Sequence, residues 1–209
     1  MTIDSAAINR SGMAGRPSRL IVGITGASGI IYGLEILKAL RAAGVETHLV
    51  MSKAAEMTLA YETDFKAKDV RALADHSYAI ADVGAPCSSG SFPSDGMIIA
   101  PCSMKTLAEI ATGVSSNLIS RSADVVLKER RRLVLLARET PLTQVHLQNM
   151  LTVTQMGGIV APPVPAFYAK PESIEDLVAH TVGRALDLFG IETGGVKRWK
   201  DEGAERSTG

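Results

Sequence analysis

Five strand-length apolar runs alternate along this chain with longer segments of helical periodicity, and that alternation limits the fold more than any other feature of the sequence. The runs fall at residues 19–25, 46–51, 96–100, 132–137 and 158–161, and the helical patterns near 28–43, 53–62, 103–130, 142–156 and 173–189. Strands separated by helical crossovers pair in parallel, and a parallel sheet needs helices on both faces. The expectation is therefore an α/β domain. Residues 1–18 lack periodicity and read as a disordered N-terminal extension, 19–190 as a single domain, and 191–209 as a polar C-terminal tail carrying the only tryptophan, Trp199. The last helix has Ser173 as N-cap with Asp176 three residues on, and a stop at Gly190. Four prolines between Ala161 and Pro171, around Phe167-Tyr168, predict a rigid excursion rather than a helix or central strand.

Composition excludes several classes of function. With 209 residues, 46% of them hydrophobic, and 22 basic against 22 acidic side chains, the chain has the profile of an ordinary soluble domain with one sizeable core. No basic tract or aromatic-interleaved patch points to nucleic acid, and Lys128-Glu129-Arg130-Arg131-Arg132 is short enough to be a solvated helix end. The apolar runs are too short to span a bilayer and residues 1–18 lack a signal-peptide core, so a cytoplasmic location is expected. Cys87 and Cys102 form no C-x-x-C pair, and the four histidines show no metal-ligand spacing, so neither a disulfide nor a structural metal is expected. Cys102 in the Pro101-Cys102-Ser103 turn reads as a buried small hydrophobe before it reads as a nucleophile.

The first strand, Leu20 to Ile24, turns through Thr25-Gly26-Ala27-Ser28-Gly29 into the amphipathic run from Ile30 to Leu40. Unpaired N–H groups and the positive end of a helix dipole meet at such a turn, which makes it a cradle for an anion. A P-loop would end in Gly-Lys-Ser/Thr, whereas Gly29 runs into Ile30-Ile31-Tyr32. The glycines at 23, 26 and 29 miss the G-x-G-x-x-G spacing of a dinucleotide site, and the second strand ends in Ser52-Lys53 where an acidic ribose ligand is needed. A mononucleotide such as FMN fits a loop of this kind.

Ligands of open α/β sheets sit beyond the carboxyl ends of the strands, and here the residues at those ends are polar. They are Thr25 and Ser28, Ser52 and Lys53, Ser103 with Lys105 and Thr106, Arg138 and Glu139, and the Pro-rich loop with Tyr168. Ser28 suits a helix N-cap or a ligand donor, and Ser52 reads first as a cap, although one hydroxyl can do both. Ser103-Met104-Lys105-Thr106 suits either a phosphate or a plain capped helix. Arg121 and Lys128 share a face if their helix is continuous, with solvation as the default role. Arg138 and Glu139 end an apolar strand in a mostly buried sheet, where charges require partners or ligands, so function outweighs structure there. Arg184, among Val182, Ala185 and Leu186, reads as a snorkelling surface residue. Glu62 reads as a helix-end carboxylate opposed by the dipole, and Ser88-Ser89-Gly90-Ser91 as a flexible loop whose donors also suit a phosphate.

Nine separated segments, taken in order, resemble the flavin prenyltransferases, the UbiX-like proteins. They are Thr25-Gly26-Ala27-Ser28-Gly29, Ser52-Lys53-Ala54-Ala55, Glu62-Thr63-Asp64, Ser88-Ser89-Gly90-Ser91, Pro101-Cys102-Ser103 with Lys105-Thr106, Arg121-Ser122-Ala123-Asp124-Val125 with Leu127-Lys128-Glu129-Arg130-Arg131, Arg138-Glu139-Thr140-Pro141-Leu142, Phe167-Tyr168 and Arg198-Trp199. The resemblance implies a flavodoxin-like Rossmann domain, a three-layer αβα sandwich with a mostly parallel sheet, assembled as a homododecamer. It implies metal-independent transfer of a dimethylallyl group from dimethylallyl monophosphate to N5 and C6 of reduced FMN, with the prenylated FMN passing to UbiD-type decarboxylases.

By the same resemblance Gly26, Ala27, Ser28, Ser52, Ser103, Met104, Lys105, Thr106 and Arg138 contact FMN. Arg121, Lys128, Arg138, Glu139, Tyr168 and Arg184 hold the prenyl phosphate, joined by Ser89 and Gly90 of a neighbouring subunit. Ser28, Glu62, Glu139 and Lys128 are the expected catalytic groups, and Trp199 offers a π-face to the allylic cation. Two other readings remain on this kind of fold: a flavin-dependent decarboxylase, and an FMN-carrying accessory subunit of an aryl-acid decarboxylase. The related decarboxylases rely on a histidine near the first helix, where this chain has Ile30-Ile31-Tyr32.

Overall fold

The structure is a computed structural model that describes residues 18–199. All but the last residue of the extension expected at 1–18, and the tail beyond Trp199, lie outside the described residues. Six strands, β1 (Arg19–Ile24), β2 (Glu46–Met51), β3 (His76–Tyr78), β4 (Gly96–Cys102), β5 (Arg132–Ala137) and β6 (Ile159–Val160), form one sheet in the order β3-β2-β1-β4-β5-β6. Every pairing is parallel. Seven α-helices among the described residues cover it: α1 (Ile30–Ala42), α2 (Lys53–Glu62), α3 (Ala67–Arg71), α4 (Met104–Thr112), α5 (Leu118–Lys128), α6 (Gln144–Gln155) and α7 (Ile174–Asp187).

Continuous apolar strands are what a sheet buried on both faces requires, because successive side chains point to opposite sides. Leu20, Val22 and Ile24 of β1 join Leu34 and Leu37 of α1, Leu59 of α2 and Val182 of α7 in one core. Ile21 belongs to the other core, with Leu107 of α4, Ile119 and Val126 of α5, and Val153 of α6. Between these layers the strand order reverses at β1 and β4, and that switch point opens a crevice at the carboxyl edge. The three-layer architecture expected from the sequence is present, with a sheet that is parallel throughout.

Three boundaries differ from expectation. Residues 103–130 form two helices: α4 stops at Gly113, which holds the left-handed conformation (φ 71°), and Asn117 caps α5 by accepting from the N–H groups of Ile119 and Ser120. Glu109 locks this break by accepting from Asn117 Nδ2 at 3.0 Å and from Ser116 Oγ at 2.8 Å. Helical periodicity continues across the break, which is why the pattern alone did not reveal it. β3 is three residues long and partly exposed, too short and polar for an apolar-run signal; Asp75 just before it accepts from Thr47 N and Oγ1, both at 2.8 Å. β4 runs on through Pro101 to Cys102, since a register irregularity between Ile99 and Cys102 accommodates the proline.

Candidate functional site

The anion cradle at the start of α1 is occupied by a side chain of the protein itself. Gly29, at φ 98°, is the N-cap residue and contributes no side-chain hydrogen bond, so Ser28 is not the cap. The Glu62 carboxylate fills that role, accepting from Gly29 N and Ile30 N, each at 2.9 Å. A carboxylate that opposes the dipole of α2 therefore sits on the positive end of α1, where the dipole favours it. Desolvation pushes the Glu62 carboxyl up, but hydrogen bonds from Ser28 and from the Ile30 and Gly29 amides, with the charge of Arg138, outweigh it and hold the group below its ordinary value. Glu62 is thus an ionised carboxylate joined to Ser28 and facing Arg138.

Beside this loop, at the β1–β4 switch point, lies a cavity of about 460 Å³. Gly26, Ser52, Ser103, Lys105 and Thr106 line it, five of the residues expected to contact flavin. Ser52 is the N-cap of α2, accepting from Ala55 N at 3.0 Å, and Ser103 is the N-cap of α4, accepting from Thr106 N at 3.3 Å. Thr25 ties the two loops together: its hydroxyl donates to Pro101 O at 2.9 Å and accepts from Ser103 N at 2.8 Å. Ala27 closes the first loop by donating its N–H to Thr25 O at 2.9 Å, and Met104 is packed against the α4–α5 core. Lys105 is mostly exposed and pairs with Glu109 at 3.2 Å.

Arg138 and Glu139 follow β5 directly, and both are exposed. They do not occupy the buried setting expected of them: the strand ends before they begin, and they project from the carboxyl edge. Glu139 accepts from Thr140 N at 2.9 Å. Arg138 lies close enough to Tyr32 and Glu62 to act on both electrostatically. Burial raises the Tyr32 phenol, partly offset by a hydrogen bond with Thr181 and by Arg138. Thr181 lines a second cavity, of about 410 Å³, together with Tyr168, His180, Arg184 and Leu136. Arg184 is half-exposed and pairs with Asp187 at 2.6 Å, and Arg198 grips the same carboxylate at 3.1 and 3.2 Å. The C-terminal segment is thereby folded back on α7, bringing Trp199 edge-on to Tyr168 at 5.4 Å.

Four of the expected phosphate residues stand elsewhere. Ser89 and Gly90 belong to a loop running along the flank of α5, where Arg121 donates to Ser88 O at 3.2 Å and Arg131 to Gly90 O at 2.8 Å and Phe92 O at 2.6 Å. Lys128 is beside Gly90, paired with Glu129. α5 covers one face of the sheet and α7 the other. A single chain therefore gathers Ser28, Glu62, Arg138, Tyr168 and Arg184 on one side, and Ser89, Gly90, Arg121 and Lys128 on the other. The Ser88–Ser91 loop is pinned by two arginines rather than free. Arg131, read as part of a solvated helix end, supplies one of those pins.

Sequence reasoning passed over Tyr32, His180, Thr181, Ser116 and Asn117, which line or border the two cavities. None follows a strand directly, so the strand-end rule had no signal for them. Cys102 is fully buried and its thiol is pushed up to about 12 by desolvation, which suits a core residue and not a nucleophile.

An all-parallel sheet with hydroxyl donors and two capped helix starts at its switch point defines a mononucleotide-binding α/β protein, and the flavoprotein family model matches residues 9–186. The flavin prenyltransferase UbiX of Neisseria meningitidis serogroup B is 58% identical over 182 residues, spanning 87% of this chain and 96% of that protein. A crystal structure of AnUbiX (PadA1) in complex with FMN and dimethylallyl pyrophosphate superposes with a TM-score of 0.87 at 60% identity, covering 88% of this chain and 98% of that one. The dodecameric FMN-dependent Ubix-like decarboxylase from Escherichia coli O157:H7 gives 0.85 at 55% identity, covering 87% and 99%. The chain belongs to the UbiX-like flavin prenyltransferases.

Proposed function

We propose that this protein joins a dimethylallyl group to reduced FMN, and that it does so as a homododecamer whose sites lie between subunits. The observation that carries the reading is the pair of cavities at the carboxyl edge, linked through Ser28, Glu62, Arg138, Tyr32 and Thr181. The donor set of the first cavity fits FMN: hydroxyls of Ser52, Ser103 and Thr106 and the ammonium of Lys105, at the dipole-positive starts of α2 and α4, suit a phosphate monoester. Reduced FMN supplies nucleophilic positions N5 and C6, which take the prenyl chain to give prenylated FMN.

The chain's own groups then divide the work. Gly26, Ala27 and Met104 shape the flavin side of the crevice. Ser28, bonded to ionised Glu62, holds and moves the proton at N5. Arg138, Tyr168 and Arg184 bind the phosphate of the prenyl donor and stabilise the negative charge that grows as its C–O bond breaks. Glu139 returns a proton to the departing phosphate, and Trp199, set against Tyr168, presents a π-face to the allylic carbon. Ser89, Gly90, Arg121 and Lys128 complete the phosphate site of a neighbouring copy. Exposed Val145, Leu147 and Leu151 on α6 supply apolar surface for such assembly. The product is destined for a UbiD-type decarboxylase.

The test is anaerobic incubation with reduced FMN and either dimethylallyl monophosphate, the donor the sequence resemblance implies, or the pyrophosphate, followed by mass measurement of the released flavin. A gain of one prenyl unit is expected; an unchanged mass with both donors would sink the reading. Decarboxylation of an aryl acid by the same protein, without any added prenyl donor, would favour the decarboxylase alternative. Glu139→Gln is expected to bind FMN normally yet prenylate at least about a hundredfold more slowly, the low end of a general acid's contribution.

A further inference from the structure

At the opposite edge of the sheet, away from both cavities, β2 and β3 bring together three side chains that the activity does not use. Glu46 and His48 are two apart on β2 and so project to the same side, and His76 is the cross-strand partner of His48. Glu46 Oε1 lies 2.9 Å from His48 Nε2 and 3.4 Å from His76 Nε2, and one ligand atom from each residue falls within 4.8 Å of the other two. Neither His-x-His nor Cys-x-x-Cys spacing marks this group in the sequence, since the third member comes from another strand.

We propose that Glu46, His48 and His76 form a binding site for a borderline divalent transition metal, with Zn²⁺ as its representative. Ligand atoms at zinc distances of about 2.0–2.2 Å stand about 3.4 Å apart around a tetrahedral centre, and two edges of this donor triangle already have close to that spacing. Two imidazoles select against Mg²⁺ and Ca²⁺, which take oxygen ligands. Neighbouring groups hold two of the three donors in place, while the His48 and His76 rings stack at 4.6 Å and the exposed His76 ring turns to converge on the ion. The far nitrogen of His48, Nδ1, is 2.9 Å from Tyr78 OH, which fixes the ring with Nε2 directed at the group. Glu46 Oε2 accepts from Arg19 at 2.7 Å, leaving Oε1 to bind in a monodentate way. Phe92 packs edge-on against His48 at 4.8 Å, shielding one side, while half-exposed His76 leaves the other open to incoming metal and to a water ligand.

The bound ion links β2 to the edge strand β3, so it stabilises the folded chain by mass action. The test uses the full, tag-free chain stripped with chelator, and Zn²⁺ alone as probe. Calorimetric titration is expected to find a saturable site, accompanied by a rise in melting temperature and by zinc-dependent shifts in the ring signals of His48 and His76. His76→Ala, at an exposed position that the core does not need, is expected to weaken binding at least about tenfold and to abolish the thermal shift. Tyr78→Phe is expected to weaken it by about 10–100-fold, as for other groups that orient a ligand from behind. His146→Ala, on α6, is expected to leave it unchanged. Equal zinc affinity in wild type and His76→Ala, or no saturable binding by wild type, overturns the proposal.

Discussion

Glu62 is the residue whose role changes most between chain and fold. Its folded carboxyl lies below the ordinary glutamate value of 4.5, so the folded state prefers it ionised. The stability it contributes is complete above the unfolded value and is lost as pH falls through the lower folded value. Wild type should therefore lose stability in acid below about pH 4.5, and Glu62→Gln should flatten that part of the pH–stability curve. Denaturant midpoints measured from pH 3 to 7 check this, and identical curves for both proteins would contradict it. Cys102 gives the opposite kind of prediction. With its thiol raised to about 12 and no exposure, it should resist iodoacetamide in the native protein, and Cys102→Ala should retain prenyl transfer. Mass spectrometry of the alkylated native protein reads the first expectation directly.

Among the elements, α1 and β4 approach most closely where the chain has no side chain to separate them. A Cβ on Gly33 would stand 2.5 Å from Ala100 O and 2.8 Å from Ile24 Cδ1. Gly33→Ala should gain about 1 kcal/mol of helix propensity, against an overpacking cost of about 1–3 kcal/mol. Because Ala100 belongs to a central strand, its carbonyl has little room to yield and the cost should win. A lowered urea midpoint is expected, and an unchanged one would show that α1 can shift outward. Element by element, the long apolar strands and the capped helices α2 and α7 were legible, since burial on two faces and Ser52 or Ser173 caps are local signals. The α4–α5 break was not, because Glu109 enforces it through Ser116 and Asn117. β3 was not, because pairing with β2 and the Asp75–Thr47 bonds define it.

At the scale of the molecule, the sheet separates the two halves of the expected phosphate site. Ser89, Gly90, Arg121 and Lys128 lie along α5, while Tyr168 and Arg184 face the cavity beside α7. Each half should be dispensable in a subunit whose neighbour supplies the other. Lys128→Ala and Arg138→Ala proteins, each expected to be nearly inactive alone, should recover partial prenyl transfer when unfolded and refolded together. Absence of recovery in verified mixed assemblies would place both residues in one subunit's site. Isolated monomers, obtained by charge substitutions at Val145 and Leu147 on the exposed face of α6, should bind FMN yet fail to prenylate it.

By itself, the sequence determined the parallel α/β architecture, the polar carboxyl edge of the sheet, and the hydroxyl caps Ser52 and Ser103 that line the cavity there. Each of these follows from periodicity or from residues adjacent in the chain. Tertiary structure alone decided that Glu62 fills the start of α1, that Asp187 is shared by Arg184 and Arg198, that Lys128 and Arg184 fall on two sides of the sheet, and that Glu46, His48 and His76 meet. Those outcomes join residues far apart in sequence or on different elements, and charge pairing across such distances leaves no period for a linear reading to detect.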